Sequence, residues 1–322
     1  MKCYFALTEP DKDNTFYTDL FEVTLKSARQ NTKLELVALY SGSRDHKCYQ
    51  LMKDYGVEVI EHEFSHKMAL KKTFNEDYMM SHFGKLIPYE KISGTFMRMD
   101  IPFIEKREEQ VFYADIDVIF NQDIDERYMP KPKYLAAAPE FHQDILHDGY
   151  FNAGIMLLNV EGMREKVEQI FDDLSLGIPN KTGVFDQGYL NQYCYADMER
   201  LPIEFNWKPY WGYNENAKII HFHGMKPGGT VSSSGFTLDK KTLYAMYKDS
   251  PEFISGLVTY SNLYFRYLNR DGSEWLGAFL NDLVEDIVEA SFYDKALTGN
   301  YQMSLKLLRR VLKKFFADKL GR

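Results

Sequence analysis

The chain has 322 residues, of which 45% are hydrophobic and 27% charged, a composition that argues against a wholly disordered or fibrous protein. Its formal net charge of −8 argues against binding to nucleic acid across the whole surface. Cys3, Cys48 and Cys194 have the spacing of neither a disulfide framework nor a zinc site, and the apolar runs are too short for a signal peptide or a membrane span.

Strand and helix patterns alternate over the first sixty residues. Apolar runs predict strands at residues 2–7, 34–40 and 57–60, with helical periodicity between them. This alternation predicts an α/β fold with a mainly parallel central sheet, whose ligands bind at the carboxyl ends of the strands. No glycine precedes Gly42, so the glycine-rich dinucleotide and Walker loops are excluded after the first strand.

A pair of aspartates follows a later apolar run. Residues 111–114 predict a buried central strand that ends directly before Asp115 and Asp117. In an extended chain these two side chains point to the same side, so they could bind one cation. The alternative is a pair of solvated carboxylates at a turn.

A second apolar run, at residues 217–220, leads into a segment with several polar functions. His221 or His223 could complete a metal site, and a histidine ligand beside carboxylates favours manganese over magnesium. Gly224 permits close approach of the backbone to a ligand, and Lys226 could neutralise a phosphate.

Two further motifs lie between these runs. Residues 151–159 predict a buried strand with a polar entrance, and residues 185–191 predict the start of a helix with Asp186 as its N-cap. Taken separately, both motifs have this purely structural interpretation.

The order of the motifs resembles that of the nucleotide-sugar glycosyltransferases of family 8, which include bacterial lipopolysaccharide galactosyl- and glucosyltransferases and glycogenin. The matching segments, within about the first 230 residues, are Tyr4-Phe5-Ala6, Arg98 in FMRMDIPFI, YADIDVIF, YFNAGIMLLN, FDQGYLN and HFHGMKPGG. The resemblance implies a GT-A-type, Rossmann-like nucleotide-sugar-binding domain at residues 1–235. The loop-like residues 228–235 are expected to separate it from a helical C-terminal region at 236–303, which a basic tail at 304–322 follows.

The resemblance also implies roles for individual residues. Manganese, or else magnesium, would be bound by Asp115, Asp117 and His221. The residues implied to contact the UDP-sugar donor are Ala6, Thr8, Arg98, Asp115, Asn152, Ala153, Gly224 and Lys226. Asp186 and Gln187 would lie at the reacting sugar, where Asp186 is either a nucleophile or a residue that orients the sugar.

Two departures from the family pattern affect these expectations. The segment between Gly224 and Lys226 is one residue shorter than usual, and Gly228 replaces a tryptophan, so the loop over the diphosphate is expected to differ in shape. Gly188 replaces an acidic residue that often follows the Asp-Gln pair, which leaves the choice of sugar open.

The implied reaction is retaining transfer of a hexose, galactose or glucose, from a UDP-sugar to a hydroxyl of a cell-surface glycan such as lipopolysaccharide or capsule. A cation and a lysine placed against the departing diphosphate would lower the barrier electrostatically. The alternatives are a catalytically inactive protein that binds sugar nucleotides or glycans, and a phosphatase of the haloacid dehalogenase type. In the phosphatase, Asp115 would be the nucleophile.

The C-terminal residues 304–322 contain seven basic residues and one acidic residue. At helical spacing, leucine and phenylalanine side chains share one face and lysine and arginine side chains share the other. The pattern predicts either an ordinary packing helix or a segment that binds an anionic membrane surface. With a reducing compartment indicated by the cysteines, we expect a cytoplasmic protein that is peripheral on the inner face of the cell membrane.

Overall fold

The computed structural model describes residues 1–10, 15–140, 149–183, 185–224, 226–229 and 252–283. The strands in this part of the chain are β1 (Lys2–Thr8), β2 (Glu35–Ser41), β3 (Glu58–Glu61), β4 (Gln110–Ala114), β5 (Val118–Phe120), β6 (Leu135–Pro139), β7 (Phe151–Asn159), β8 (Glu199–Arg200) and β9 (Ile219–His221). The α-helices bounded within it are α1 (Phe16–Asn31), α2 (Lys47–Asp54), α3 (Lys67–Thr73), α4 (Glu76–Phe83), α5 (Tyr89–Phe96), α6 (Ile101–Ile104), α7 (Val160–Leu176), α8 (Phe185–Cys194) and α9 (Phe253–Tyr267).

Seven strands form the central sheet, in the order β3-β2-β1-β4-β7-β6-β8. Strand β1 pairs in parallel with β2 and β4, and β2 pairs in parallel with β3. Strand β7 runs antiparallel to both of its neighbours, β4 and β6. The predicted α/β fold with a mainly parallel sheet is therefore confirmed, with β7 as the reversed strand.

Helices cover both faces of this sheet, and the side chains of β1 show how the two faces are built. Cys3 and Phe5 point to the face that α1 and α2 cover, whereas Tyr4 points to the face covered by α3, α5, α7 and α8. All three side chains are buried. Burial on both faces explains why the strand has a continuous apolar sequence rather than an alternating one.

A separate two-stranded ribbon, β5 with β9, lies beside the carboxyl edge of the sheet. The ribbon is antiparallel, and its register places Val118 opposite His221. The ribbon therefore brings His221, the last residue of β9, next to the segment that joins β4 to β5.

The C-terminal region packs on this core through α9. Tyr260 and Tyr264 of α9 share a buried cluster with Val23 of α1 and with Ile220 and Phe222 at β9. Residues 273–283 are also helical. The predicted boundaries at residues 235 and 303, and the basic tail at 304–322, lie outside the described residues.

Candidate active site

The antiparallel direction of β7 determines which residues meet at the carboxyl end of β4. Ala114 pairs with Ile155, and the backbone N–H of Asp115 donates to the carbonyl of Gly154 at 2.8 Å. The amino end of β7, with Asn152 and Ala153, consequently lies beside the aspartate pair. This edge gathers side chains from segments that are far apart in the sequence.

Asp115, Asp117 and His221 form a cluster at this edge. One ligand atom from each residue lies within 4.8 Å of the other two. The His221 Nε2 atom is 3.3 Å from Asp117 Oδ1 and 3.8 Å from Asp115 Oδ2. His223, the other histidine of the segment, lies instead 3.5 Å from Glu140 Oε1, and burial together with the charge of Lys208 lowers its pKa to about 3.

In each of the two aspartates, one carboxylate oxygen contacts neighbouring side chains and the other faces His221. Asp115 Oδ1 accepts a hydrogen bond from the Tyr113 hydroxyl at 2.8 Å and lies 3.1 Å from Arg98 Nη2. Asp117 Oδ2 lies 2.5 Å from Lys226 Nζ. Asp117 Oδ1 is buried and has no hydrogen-bond partner among the described residues. Two carboxylate oxygens and an imidazole nitrogen, one of them an unsatisfied buried oxygen, fit a divalent cation.

The charge state of Asp117 suits this arrangement. Burial acts to raise its pKa, but neighbouring positive charge, first of all that of Lys226, holds the pKa below its usual range. Asp117 is therefore a carboxylate throughout the ordinary pH range, which is the form that binds a cation.

Gly154 makes the close approach of these side chains possible. A Cβ atom on this residue would lie 2.3 Å from His221 Cε1 and 2.9 Å from Asp115 Oδ2. Any side chain at this position would therefore push the histidine and the aspartate apart. A glycine within a buried strand is a recognised sign of such close contact, although the sequence motif did not show what approaches it.

Arg98 connects the aspartate cluster to helix α8. Its Nε atom lies 3.0 Å from Asp186 Oδ2, and its Nη1 donates to the carbonyl of Ala153 at 2.5 Å. Burial raises the pKa of Asp186 despite the charge of Arg98. Helix α8 begins at Phe185, so the interpretation of Asp186 as an N-cap is wrong: it lies in the first helical turn, and its carboxylate pairs with Arg98.

Amide and charged side chains surround the start of β7. Gln187 Oε1 accepts the N–H of Ala153 at 2.8 Å, and Asn152 Nδ2 donates to Glu140 Oε2 at 2.8 Å. Glu140 Oε1 in turn lies 3.0 Å from Lys208 Nζ, which is fully buried. The charge of Lys208 lowers the pKa of Glu140 although burial acts to raise it. Sequence reasoning missed Glu140 and Lys208, because neither lies in a recognisable motif.

A concavity of about 560 Å³ opens beside the cluster. Five of the residues expected at the donor or the metal line it, namely Ala6, Thr8, Arg98, Asp115 and Asp117. Further lining residues that the sequence did not single out include Tyr17, Lys91 and Thr95. The concavity is therefore formed by the carboxyl ends of β1 and β4 together with α5.

Gly224 and Lys226 lie at the end of the segment that follows β9. Gly224 has a φ of +83°, a backbone conformation that favours glycine. Lys226 Nζ donates to the carbonyl of Phe222 at 3.0 Å in addition to its ion pair with Asp117. Lys226 therefore lies at the cluster and is held there by two contacts.

A second concavity, between α1 and α9, is lined by three basic residues, Lys26, Arg29 and Arg266. Lys26 lies 2.7 Å from Glu22 and donates to the carbonyl of Tyr267, while Arg29 donates to the carbonyls of Tyr55 and Gly56. These contacts give Lys26 and Arg29 a structural role, and the Asp-Asp-His cluster lies beside the other concavity, which is therefore the candidate active site.

The fold and the site define an α/β protein with a nucleotide-sized concavity next to a candidate divalent-cation site. The model of the family described as "Glycosyl transferase family 8" matches residues 15–228. The chain therefore belongs to glycosyl transferase family 8, in agreement with the resemblance of its motifs.

Individual relatives have only low sequence identity to this chain. A protein of Haemophilus influenzae, named provisionally as a glycosyltransferase, is 28% identical over 145 residues, which cover 40% of this chain and 43% of the relative. The match thus spans less than half of that relative's length.

Solved structures share the fold, and two of them serve as examples. The galactosyltransferase LgtC, crystallised with donor and acceptor sugar analogues, superimposes with a TM-score of 0.50 at 16% identity, covering 73% of this chain and 92% of LgtC. The glycosyltransferase GlyE of Streptococcus pneumoniae gives a TM-score of 0.53 at 19% identity, covering 87% of this chain and 63% of GlyE. At these identities the structural similarity establishes the shared fold, but not the substrates or the roles of individual residues.

No helix within the described ranges combines the length and the apolarity that crossing a bilayer requires.

Proposed function

We propose that this chain is a retaining glycosyltransferase that moves a hexose, galactose or glucose, from a UDP-sugar to a hydroxyl of a cell-surface glycan such as lipopolysaccharide or capsule. The observation that carries the proposal is the convergence of Asp115, Asp117 and His221 in one cluster, whose two aspartates line the concavity. Family membership supports it, and the neighbour LgtC is a galactosyltransferase that binds donor and acceptor sugar analogues.

The Asp-Asp-His cluster would hold Mn²⁺, with Mg²⁺ as the second choice, because its donor set combines two carboxylates with an imidazole. When bound, such a cation supplies electrostatic stabilisation of the negative charge that develops on the departing diphosphate. Lys226, held at the cluster by Asp117, adds a positive charge on the same side. The shortened loop that carries Lys226 keeps its ammonium group within reach of this position.

The concavity would bind the nucleotide of the donor. Ala6 and Thr8 line it at the end of β1, and Tyr17 offers an aromatic face near them. Arg98 lies between this concavity and the start of β7, where its charge would attract the diphosphate. The donor would therefore extend from the end of β1 towards Asn152 and Gln187.

The sugar would lie against the amide side chains at the start of β7. Gln187 is oriented by the N–H of Ala153, which fixes its oxygen and leaves its NH₂ group facing Glu140 at 3.4 Å. Ordered amide groups of this kind bind sugar hydroxyls in a defined orientation. We assign Gln187, Asn152 and Ala153 to the sugar part of the site.

Asp186 fits a positioning role better than a nucleophilic one. A retaining double displacement requires a carboxylate next to the anomeric carbon. The Asp186 side chain is buried and does not line the concavity; it pairs with Arg98, which does. We propose that Asp186 holds Arg98 in place, so that retention occurs without a covalent intermediate on Asp186.

An anionic membrane surface is proposed as a further partner, through residues 304–322. Five basic residues would share one face of a helix over this segment, namely Lys306, Arg309, Arg310, Lys313 and Lys314. A cluster of this size attracts anionic headgroups with about 1 kcal/mol per residue. A glycolipid acceptor at the inner face of the membrane would fit this placement.

The proposal is tested by measuring UDP release from a panel of UDP-sugars, with Mn²⁺ and with chelator. We expect release from one donor, and loss of that release with chelator. Asp117→Asn should lower the rate at least about 100-fold, because a neutral amide replaces a carboxylate at the cation. Asp125→Asn is the matched control, since Asp125 forms a surface pair with Arg127 and should leave the rate unchanged.

Three other outcomes would contradict the proposal or favour an alternative. Metal-dependent binding of a UDP-sugar with no turnover, even with glycan acceptors added, would identify a binding protein. Near-normal turnover in Asp117→Asn would exclude the metal assignment. Hydrolysis of simple phosphate esters would favour the phosphatase, although Asp115 follows the fourth strand of the chain and not the first, which that class requires.

A further inference from the structure

A chain of buried amide groups leads from the sugar side of the site to the metal side. Asn152 Oδ1 accepts from Asn206 Nδ2 at 2.8 Å, and Asn206 Oδ1 lies 2.8 Å from His221 Nδ1. Asn206 is completely buried, and Asn152 and His221 are 1% exposed. Asn206 belongs to none of the motifs that the sequence offers, and its side chain does not line the concavity.

The orientation of the Asn152 amide is fixed by two neighbours, one of which can only donate a hydrogen bond and the other only accept one. Asn152 Oδ1 also accepts the backbone N–H of Gly154 at 3.0 Å, while Asn152 Nδ2 donates to the carboxylate of Glu140. Rotating this amide by 180° would place its oxygen against the carboxylate and its NH₂ group against a backbone N–H. Both contacts would be repulsive, so the observed orientation is required.

The orientation of Asn206 and the tautomer of His221 then follow from the orientation of Asn152. Because Asn152 presents an oxygen, Asn206 must face it with its NH₂ group and must present its own oxygen to His221. That oxygen only accepts, so His221 Nδ1 must carry the hydrogen. The neutral ring therefore has its lone pair on Nε2, the atom that lies nearest Asp115 and Asp117.

The backbone holds Asn206 at this position. Asn206 ends a short 3-10 turn, Ile203–Asn206, and the next residue forms an isolated parallel bridge with Ile220 of β9. Within that bridge the N–H of Trp207 donates to Ile219 and the N–H of His221 donates to Trp207. Asn206 and His221 are thus positioned by the same backbone pairing.

We propose that Asn206 is a positioning residue that selects the Nδ1–H tautomer of His221 and thereby presents the Nε2 lone pair to the cation. Histidine ligands of metals commonly donate their other N–H to a partner that fixes the ring, and loss of that partner weakens metal binding by about 10- to 100-fold. Here the partner is an amide whose orientation is set, through Asn152, by Glu140 and Gly154. The proposal rests on the metal-binding function assigned above to the Asp-Asp-His cluster.

The first experiment needs only the wild-type protein without metal. Long-range ¹H–¹⁵N spectra of ¹⁵N-histidine-labelled protein at about pH 8, above the ordinary histidine pKa, distinguish the two neutral tautomers. The His221 signal is assigned by its loss in His221→Gln. We expect a hydrogen on His221 Nδ1, and a ring whose only hydrogen lies on Nε2 would overturn the proposal.

The second experiment compares Mn²⁺ affinity, measured by the electron paramagnetic resonance signal of free Mn²⁺. Asn206→Leu keeps the size of the side chain but removes both hydrogen bonds, and it should weaken Mn²⁺ binding about 10- to 100-fold. Asn159→Leu is the matched control, because Asn159 also makes two hydrogen bonds but caps α7 at the opposite end of β7. It should lower the melting temperature and leave Mn²⁺ affinity unchanged.

The outcomes separate this inference from the function on which it rests. Wild-type protein that binds no Mn²⁺ would contradict the proposed metal site, while the tautomer measurement would still test the amide chain. Wild-type protein that binds Mn²⁺, with equal affinity in folded Asn206→Leu, would contradict the role of Asn206 alone.

Discussion

At the scale of single residues, the site depends on how closely a few side chains approach one another. Asp115, His221 and Asn152 all surround one position on β7, and that position is Gly154. Arg98 provides the compensating charge on the other side of Asp115. The cluster therefore has two structural requirements: a glycine at residue 154 and the buried positive charge of Arg98.

Gly154→Ala is expected to disturb the cluster directly. The added Cβ would overlap the His221 ring, so we expect an unfolding free energy lower by about 1–3 kcal/mol together with weaker Mn²⁺ binding. Urea denaturation and Mn²⁺ titration measure the two effects. Gly277→Ala is the control, because a Cβ there meets no atom within 4 Å. Unchanged Mn²⁺ affinity in Gly154→Ala would show that the histidine does not need its observed position.

At the scale of elements, the site depends on how β1 and β4 are joined side by side. The segment between α6 and β4 is held to β1 by the buried carboxylate of Glu105. Its Oε2 accepts from Lys2 Nζ at 2.9 Å and from the Tyr4 hydroxyl at 2.8 Å, and its Oε1 accepts the N–H of Arg107 at 2.6 Å. Burial acts to raise the pKa of Glu105, but these hydrogen bonds lower it to about 2.

This carboxylate should make stability depend on pH at the acid end. Because the pKa in the folded state is about 2 and in an unfolded chain about 4.3, the stabilisation is complete above the unfolded value and is lost as the pH falls towards 2. Glu105→Gln should therefore lower the unfolding free energy at pH 7 by about 1–3 kcal/mol, with a difference that shrinks below about pH 4.3.

Urea denaturation of Glu105→Gln and wild type across this pH range checks the sign. Glu109→Gln is a suitable control, since Glu109 is exposed in the same loop and should change the stability little at any pH. A difference between Glu105→Gln and wild type that stays constant down to pH 2 would contradict the role of the ionised carboxylate.

At the scale of the whole molecule, charge is distributed unevenly along the chain. The net charge is −8, yet residues 304–322 contain seven basic residues and one acidic residue. Helix α9, in contrast, buries Tyr260 and Tyr264 against α1 and β9, so it belongs to the packed core. The basic segment and α9 are therefore expected to have separate roles.

Deletion of residues 304–322 is expected to reduce binding to vesicles that contain phosphatidylserine at least about 100-fold, since five basic residues on one face each contribute about 1 kcal/mol. Metal-dependent UDP release should continue, because the candidate site lies within residues 6–226. Vesicle sedimentation at low and high salt measures the first effect, with neutral phosphatidylcholine vesicles as the control. Equal binding by both proteins would contradict the membrane partner.

The sequence by itself determined the α/β class and the mainly parallel sheet, because alternation of strands and helices is a local pattern that burial on both faces imposes. It also indicated Asp115 and Asp117 as a cation-binding pair, since their spacing after a buried strand places them on one side. The expected donor residues Ala6, Thr8 and Arg98 follow from motif resemblance, and the structure brings them to one concavity. Their roles in binding stay predictions.

The tertiary structure decided what no local pattern contains. The reversed direction of β7 places Asn152 and Gly154 beside the aspartates, and the β5–β9 ribbon places His221 there while His223 contacts Glu140. The interpretation of Asp186 as an N-cap did not reveal its ion pair with Arg98. Glu140, Asn206 and Lys208 became visible only in three dimensions, because a buried polar residue reveals its function through its partners, and those partners are distant in the chain.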